Sequence, residues 1–231
     1  MALAVAAVGY TVEMRVTRTV DGVRLRLVIT DPMTHAPASR VVTHDTPMHL
    51  FVVGGSGLRV FRHEQPHEQR DGSFVADVAL PESGLYMVFA EFTPNGGAPQ
   101  MAQQAFTTGS PLAGRPGEPA DESHLSNGIR ATVTPSEIKS GSLTTLAFDL
   151  ADDESGAPVG DLELNSGALA HLFVVSADLT EGQHLRPVDD RRGPRVSFAP
   201  IFPRPGHYKL WLQVQRAGRV VTLPFVVDVR E

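Results

Sequence analysis

The chain has 231 residues and 42% hydrophobic content, so it can bury a core, and its length fits one large domain or two of ordinary size. Its acidic residues outnumber its basic ones by 26 to 20, for a net charge of −6, which argues against nucleic acid as a partner because phosphate binding needs clustered positive charge. It contains no cysteine, which excludes disulfides, thiolate metal sites, iron–sulfur clusters and cysteine nucleophiles.

The chain begins with an apolar segment, residues 1–8. This segment lacks the basic residues that open an export signal and is too short to span a bilayer. Two interpretations stay open: the tail of a trimmed export signal or membrane anchor, and an apolar first strand.

The following segments have the patterns of β-strands. Residues 23–29, 74–80 and 208–214 alternate apolar and polar side chains, and residues 50–53 form a continuous apolar run that is typical of a central strand. Turn signals separate these runs, and no window of a dozen residues has the apolar stripe of a helix. The sequence therefore predicts antiparallel β-sandwich structure.

The chain also repeats itself. The segment His49–Val53 recurs letter for letter as His171–Val175, an offset of 122 positions. Six further pairs keep that order at an offset of 121 or 122: Pro37 and Pro158, His63 and His184, Pro66 and Pro187, Pro81 and Pro203, Gly84 and Gly206, Tyr86 and Tyr208. A period of this length indicates a tandem duplication of a whole domain.

The segment between the copies is rich in proline and glycine and has no apolar period, as expected of a semi-stiff linker. We therefore predict a first sandwich over residues 10–109, a linker over 110–124 and a second sandwich over 125–231. The repeated tyrosines, Tyr86 and Tyr208, follow a glycine by two positions and resemble the tyrosine corner of immunoglobulin-like sandwiches.

Histidines are the main candidates for chemistry. The first copy combines His49, His63 and His67 with Met48, and a sandwich can bring a strand start and the next strand's end to the same rim. Imidazole and thioether are ligands for copper, and imidazole also suits zinc, so these four residues form a candidate metal site. Alternatively, His49 and His171 are buried, hydrogen-bonded residues that fix the fold of both copies, which base rates favour.

The stretch from His63 to His67 matches the H-E-x-x-H pattern of zinc peptidases. That motif requires a helix to place both imidazoles on one face, and Pro66 would disrupt such a helix. The second copy has only His184 of this set. We therefore do not expect an enzyme.

The repeated motif, H-L-F-V-V followed by F-x-H-x-x-P and G-x-Y, resembles that of the YtkA-like, cupredoxin-like family of bacterial extracytoplasmic β-sandwich domains, many of which are associated with copper handling. His49 and His63 match its first two histidines, as do His171 and His184 in the second copy. The third histidine position is Gln65 in the first copy, where His67 follows two residues later. In the second copy a cationic arginine at this position opposes a metal ion, so the resemblance places copper in the first copy.

The sequence thus predicts an all-β protein of two tandem immunoglobulin-like or cupredoxin-like antiparallel β-sandwiches. The expected function is non-enzymatic, in the periplasm or as a secreted or cell-surface protein, with a copper ion bound by histidines of the first domain and membrane contact only through an N-terminal anchor. The alternative is a structural or interaction module that binds a protein partner or a cell-surface polymer without metal.

Overall fold

The computed structural model describes residues 3–7, 9–38, 40–41, 46–109, 118–122, 128–135 and 137–231. It divides into two compact units, Met1–Gly117 and Glu118–Glu231. The division falls inside the predicted linker 110–124, of which only residues 118–122 are described.

The first unit consists of two antiparallel sheets. Its strands are β1 (Leu3–Ala7), β2 (Tyr10–Arg18), β3 (Gly22–Thr30), β4 (Arg40–Val41), β5 (Met48–Gly54), β6 (Val60–Glu64), β7 (His67–Glu68), β8 (Phe74–Ala79), β9 (Gly84–Pro94) and β10 (Gln100–Thr108), with one 3-10 turn at Ser56–Leu58. One sheet has the order β1-β2-β3-β8-β7, and the other has the order β10-β9-β5-β6, with β4 paired to β9.

The second unit repeats this plan. Its strands are β11 (Ile129–Thr134), β12 (Ile138–Lys139), β13 (Leu146–Asp152), β14 (Ala170–Ser176), β15 (Gly182–Leu185), β16 (Arg195–Phe198), β17 (Gly206–Arg216) and β18 (Arg219–Arg230). They form a sheet of order β11-β13-β16 and a sheet of order β12-β18-β17-β14-β15, in which β12 runs parallel to β18. The described residues therefore form an all-β protein with two tandem sandwiches, which confirms the predicted fold class.

The duplication is visible in the pairing register. Met48 pairs with Phe92 across β5 and β9, and Ala170 pairs with Val214 across β14 and β17, 122 positions later on both strands. The sheet order β10-β9-β5-β6 recurs as β18-β17-β14-β15. Shared register means that equivalent side chains point to equivalent faces in both copies, because side chains alternate along a strand.

The predicted strands lie where their patterns placed them. The alternating segment 23–29 lies in β3, whose apolar residues are buried while its arginines face outward. The apolar run 50–53 lies in β5, a central strand that is buried over all of its residues. Each copy has its own core of buried apolar residues between its two sheets. Burying one such aliphatic side chain contributes about 1.5–3 kcal/mol to the stability of that copy.

The apolar start of the chain includes a strand. Residues 3–7 form β1, which pairs antiparallel with residues 10–14 of β2 at the edge of the first sheet. A strand over residues 3–7 agrees with the second of the two interpretations given for the start of the chain.

Both tyrosine corners are present. The hydroxyl of Tyr86 donates a hydrogen bond to the backbone carbonyl of Glu82, at 2.8 Å, and Tyr208 lies 3.0 Å from that of Arg204, again four residues upstream. Both rings are buried. Tyr208 also lies 2.7 Å from the carboxylate of Glu181. Desolvation, with the Glu181 contact, raises the pKa of Tyr208 to about 12, so its hydroxyl stays protonated at neutral pH.

These contacts predict unequal effects of removing the two hydroxyls. Tyr86→Phe should lower the free energy of unfolding by about 1 kcal/mol, the contribution of a neutral hydrogen bond. Tyr208→Phe should cost about 1.5–3 kcal/mol, because its hydroxyl also contacts a carboxylate. Urea unfolding followed by circular dichroism measures both losses. Equal losses for the two tyrosine variants would contradict the role assigned to Glu181. The same conclusion would follow if Tyr208→Phe cost as much in a Glu181→Gln background as in the unaltered protein.

Residues 118–122 pack on the second copy. Glu118 contacts His207 at 2.6 Å, and the ammonium of Lys209, which is fully buried, donates to the carbonyl of Ala120 and lies 3.2 Å from the carboxylate of Glu122. This end of the predicted linker is therefore held by β17. Within the part of the chain that the structure describes, no helix has the length and apolarity of a membrane span.

Candidate functional site

The first copy pairs two of the predicted metal ligands. His49 lies on β5 and His63 on the adjacent strand β6, opposite Phe51 in the register. Alternation places His49, Phe51 and His63 on the same face of the sheet, so the two imidazoles meet diagonally across the strands. Nδ1 of His49 lies 2.9 Å from Nε2 of His63, which is hydrogen-bond distance, and the ring of His63 stacks on Phe51 with centroids 4.4 Å apart.

The second copy repeats the pair with the same atoms. Nδ1 of His171 lies 3.0 Å from Nε2 of His184, and Nε2 of His171 lies 2.7 Å from the backbone carbonyl of Asn165. A carbonyl only accepts, so Nε2 of His171 carries the hydrogen that it donates to Asn165. With His171 neutral, its Nδ1 is then the acceptor, and His184 donates through Nε2. Two hydrogen bonds therefore point the same way: His184 donates to His171, and His171 donates to the backbone carbonyl of Asn165.

The other two predicted ligands lie elsewhere. Met48 precedes His49 on the strand, so its side chain points to the opposite face, where it is buried in the core between the sheets. His67 lies on β7, in the other sheet, where it pairs with Val75 and is exposed. The structure therefore brings together His49 and His63 but neither Met48 nor His67. The same separation shows that the H-E-x-x-H stretch from His63 to His67 lies on two strands and not on a helix.

A carboxylate that the sequence reasoning missed lies beside the first pair. Glu91 on β9 is in register with His49, and a ring nitrogen of His49 lies within 4.8 Å of a carboxylate oxygen of Glu91. The equivalent residue of the second copy, in register with His171, is Gln213. A single charged residue within the apolar pattern of residues 87–92 was the signal that could have identified it.

A further carboxylate is next to His63 along the chain, on the opposite face of β6. Glu64 follows His63 on β6, and burial raises its pKa above the usual range, an effect that the nearby Arg62 guanidinium partly offsets.

At the positions that replace the third histidine of the family motif, Gln65 is exposed and Arg186 is half-buried. Two imidazoles with a neighbouring carboxylate can form a hydrogen-bonded network or supply nitrogen and oxygen ligands to a metal ion.

Among known families, a match is found for the second copy. A family model, a domain of unknown function (DUF8832), matches residues 123–231. No curated protein matches the chain. None of these results tests the resemblance to the YtkA-like family, which stays a prediction.

Solved structures match over most of the chain, with low scores. They include the Escherichia coli adhesin FdeC (16% identity, 99% of this chain and 66% of that one, TM-score 0.29). Another is Escherichia coli alpha-2-macroglobulin activated by porcine elastase (10% identity, 96% of this chain and 23% of that one, TM-score 0.30). A third is the FN1–FN3 domains of chicken CNTN1 (11% identity, 90% of this chain and 63% of that one, TM-score 0.25). The chain spans less than two thirds of each of these structures. At these scores no property of theirs is transferred to this chain.

Proposed function

We propose that this protein is a non-enzymatic module of two β-sandwiches that acts outside the cytoplasm, at the cell surface, by binding a protein partner or a cell-surface polymer. One observation carries the proposal. The histidines that both copies repeat, which are the main candidates for chemistry, hydrogen-bond each other within each copy at 2.9 and 3.0 Å. The location rests on the resemblance of the repeated motifs to an extracytoplasmic family, and the partner class is that of the metal-free alternative given by the sequence.

In the second copy, both ring nitrogens of His171 have protein partners, so this ring offers no lone pair to a metal ion in the arrangement described above. The ring is 1% exposed. A buried polar side chain with all its hydrogen bonds made within the protein stabilises a particular packing. These features support a structural role for the repeated pair.

Copper binding in the first copy is the second candidate. It is favoured by the 2.9 Å approach of His49 to His63 and by Glu91, which has no carboxylate counterpart in the second copy. Bound imidazole lies about 2 Å from its metal ion, so coordination through the two facing nitrogens would replace their hydrogen bond. The cost of losing that bond is the reason that we place the module without metal first.

Metal titration distinguishes the two candidates. Cu(I), Cu(II) and Zn(II) are titrated into the full chain, into a His49→Ala, His63→Ala double variant and into His35→Ala, which removes an exposed histidine from a turn. We expect all three proteins to bind each metal equally weakly, as measured by competition with a chromophoric chelator. Stoichiometric binding that only the double variant loses would overturn the first candidate and establish the second.

A further inference from the structure

The two copies differ at an interior position of the equivalent strands β10 and β18. Val88 on β9 pairs with Gln104, and Leu210, 122 positions after Val88, pairs with Phe225. Gln104 and Phe225 are therefore structural equivalents. Phe225 is 4% exposed and packs on Phe148, with ring centroids 5.1 Å apart. The second copy thus fills this position with an aromatic ring, and the first copy has an amide there.

Gln104 faces the interior of its sandwich. Ala102 and Phe106, two positions to either side of it, contribute to the core of the first copy. Gln104 is 8% exposed, and its Oε1 is buried without a hydrogen-bond partner among the described residues. A buried amide oxygen in that state destabilises the fold unless another group supplies a donor.

A cavity of about 280 Å³ lies next to this amide. Its principal lining residues are Val16, Arg18, Val23, Gln104, Phe106 and Thr108. It lies beside the part of β2 that continues beyond Met14, the last residue that pairs with β1. An adjoining cleft of about 630 Å³ shares Arg18 and Thr108 with it.

We propose that this cavity binds a small amphipathic organic acid, with an apolar body, a hydroxyl group and a carboxylate. Val16, Val23 and Phe106 form apolar walls for the body of the ligand. Gln104 hydrogen-bonds the hydroxyl. Its terminal torsion is soft, so a turn of the amide presents either its oxygen or its nitrogen to the ligand.

The carboxylate of the ligand pairs with Arg18. This guanidinium is exposed at the junction of the two clefts and uses Nη2 to donate to the carbonyl of Gly109, at 3.2 Å. Its remaining N–H groups can bind a carboxylate. This cavity combines apolar walls with polar groups that can fix the orientation of a ligand, as small-molecule sites do.

The probe is 4-hydroxyphenylacetate, titrated into the full chain and followed through the backbone amide signals of Val16, Gln104 and Phe106. A ligand of this size that makes both polar contacts is expected to bind with a dissociation constant of about 1 mM or lower. Phenylacetate, which lacks the hydroxyl, and 4-ethylphenol, which lacks the carboxylate, should each bind about tenfold more weakly, the effect of one hydrogen bond or ion pair.

Two variants test the position of the site. Gln104→Phe, which copies the second domain, should abolish saturable binding and raise the unfolding midpoint because the ring fills the cavity. Gln100→Leu is the matched control, since it changes the same residue type on β10 without lining the cavity, and it should leave binding unchanged. If Gln104→Phe does not fold, the comparison of the three probes on the unaltered protein still decides the question. Absence of saturable binding, equal binding of all three probes, or retained binding by folded Gln104→Phe would overturn the proposal.

Discussion

Replacing Phe148 by alanine is expected to lower the free energy of unfolding of the second copy by about 3–5 kcal/mol, the usual cost of removing a fully buried aromatic ring. Phe148 has no exposed surface, and its ring contacts Phe198 edge-on, with centroids 5.8 Å apart, and Phe225 at 5.1 Å. Three rings that interlock across both sheets cannot close over the resulting cavity without moving the strands. Trp211, the single tryptophan of the chain, lies in this copy and reports its urea unfolding by fluorescence.

The matched control for Phe148 is Leu143→Ala. Leu143 is 76% exposed, so its truncation should change the free energy of unfolding by less than about 0.5 kcal/mol. Similar unfolding midpoints for the two variants would contradict the placement of Phe148 at the centre of the core.

Replacing His171 by alanine is expected to destabilise the second copy by about 2–4 kcal/mol, because it removes a buried ring and both of the hydrogen bonds that this ring makes. Nε2 of His184 loses its bond to His171, and the carbonyl of Asn165 loses one of its two donors and keeps the N–H of Ala168. Urea unfolding followed by Trp211 fluorescence again measures the loss.

Two further variants separate the hydrogen bonds of His171 from its volume. His171→Gln places an amide N–H near the former Nε2, so it should recover part of the stability by donating to Asn165. Leu143→Ala, which truncates an exposed side chain of the same copy, is again the control and should be nearly neutral. If His171→Ala were as mild as Leu143→Ala, the repeated pair would not have the structural role that the proposed function requires.

Much of the fold was predictable because its signals are local. Alternation in residues 23–29 and the unbroken apolar run at 50–53 follow from the period-two geometry of strands, and both segments form strands with the expected burial. The spacing of Tyr86 from Gly84 predicted a tyrosine corner, which the bond to Glu82 confirms. The apolar residues 3–7 were ambiguous, since so short an apolar segment fits an edge strand and an export signal equally well.

The candidate site was predictable only in part. Residue type and position in the first copy identify His49, His63, His67 and Met48 as candidate ligands, and the first two do meet in space. Met48 fails to join them because adjacent strand residues point to opposite faces, and His67 fails because the chain crosses to the other sheet between β6 and β7. Glu91 joins His49 through a register that no local pattern encodes.

The sequence by itself determined that this protein consists of two similar all-β domains, because a repeat and a period-two pattern are properties of the chain that need no partner to be visible. Only the tertiary structure decided which polar residues meet. Those contacts depend on strand register and on the choice of sheet, which are set by the packing of the whole core. The same register revealed that Gln104 of the first copy occupies the place of Phe225 in the second, although the two residues share no local sequence feature.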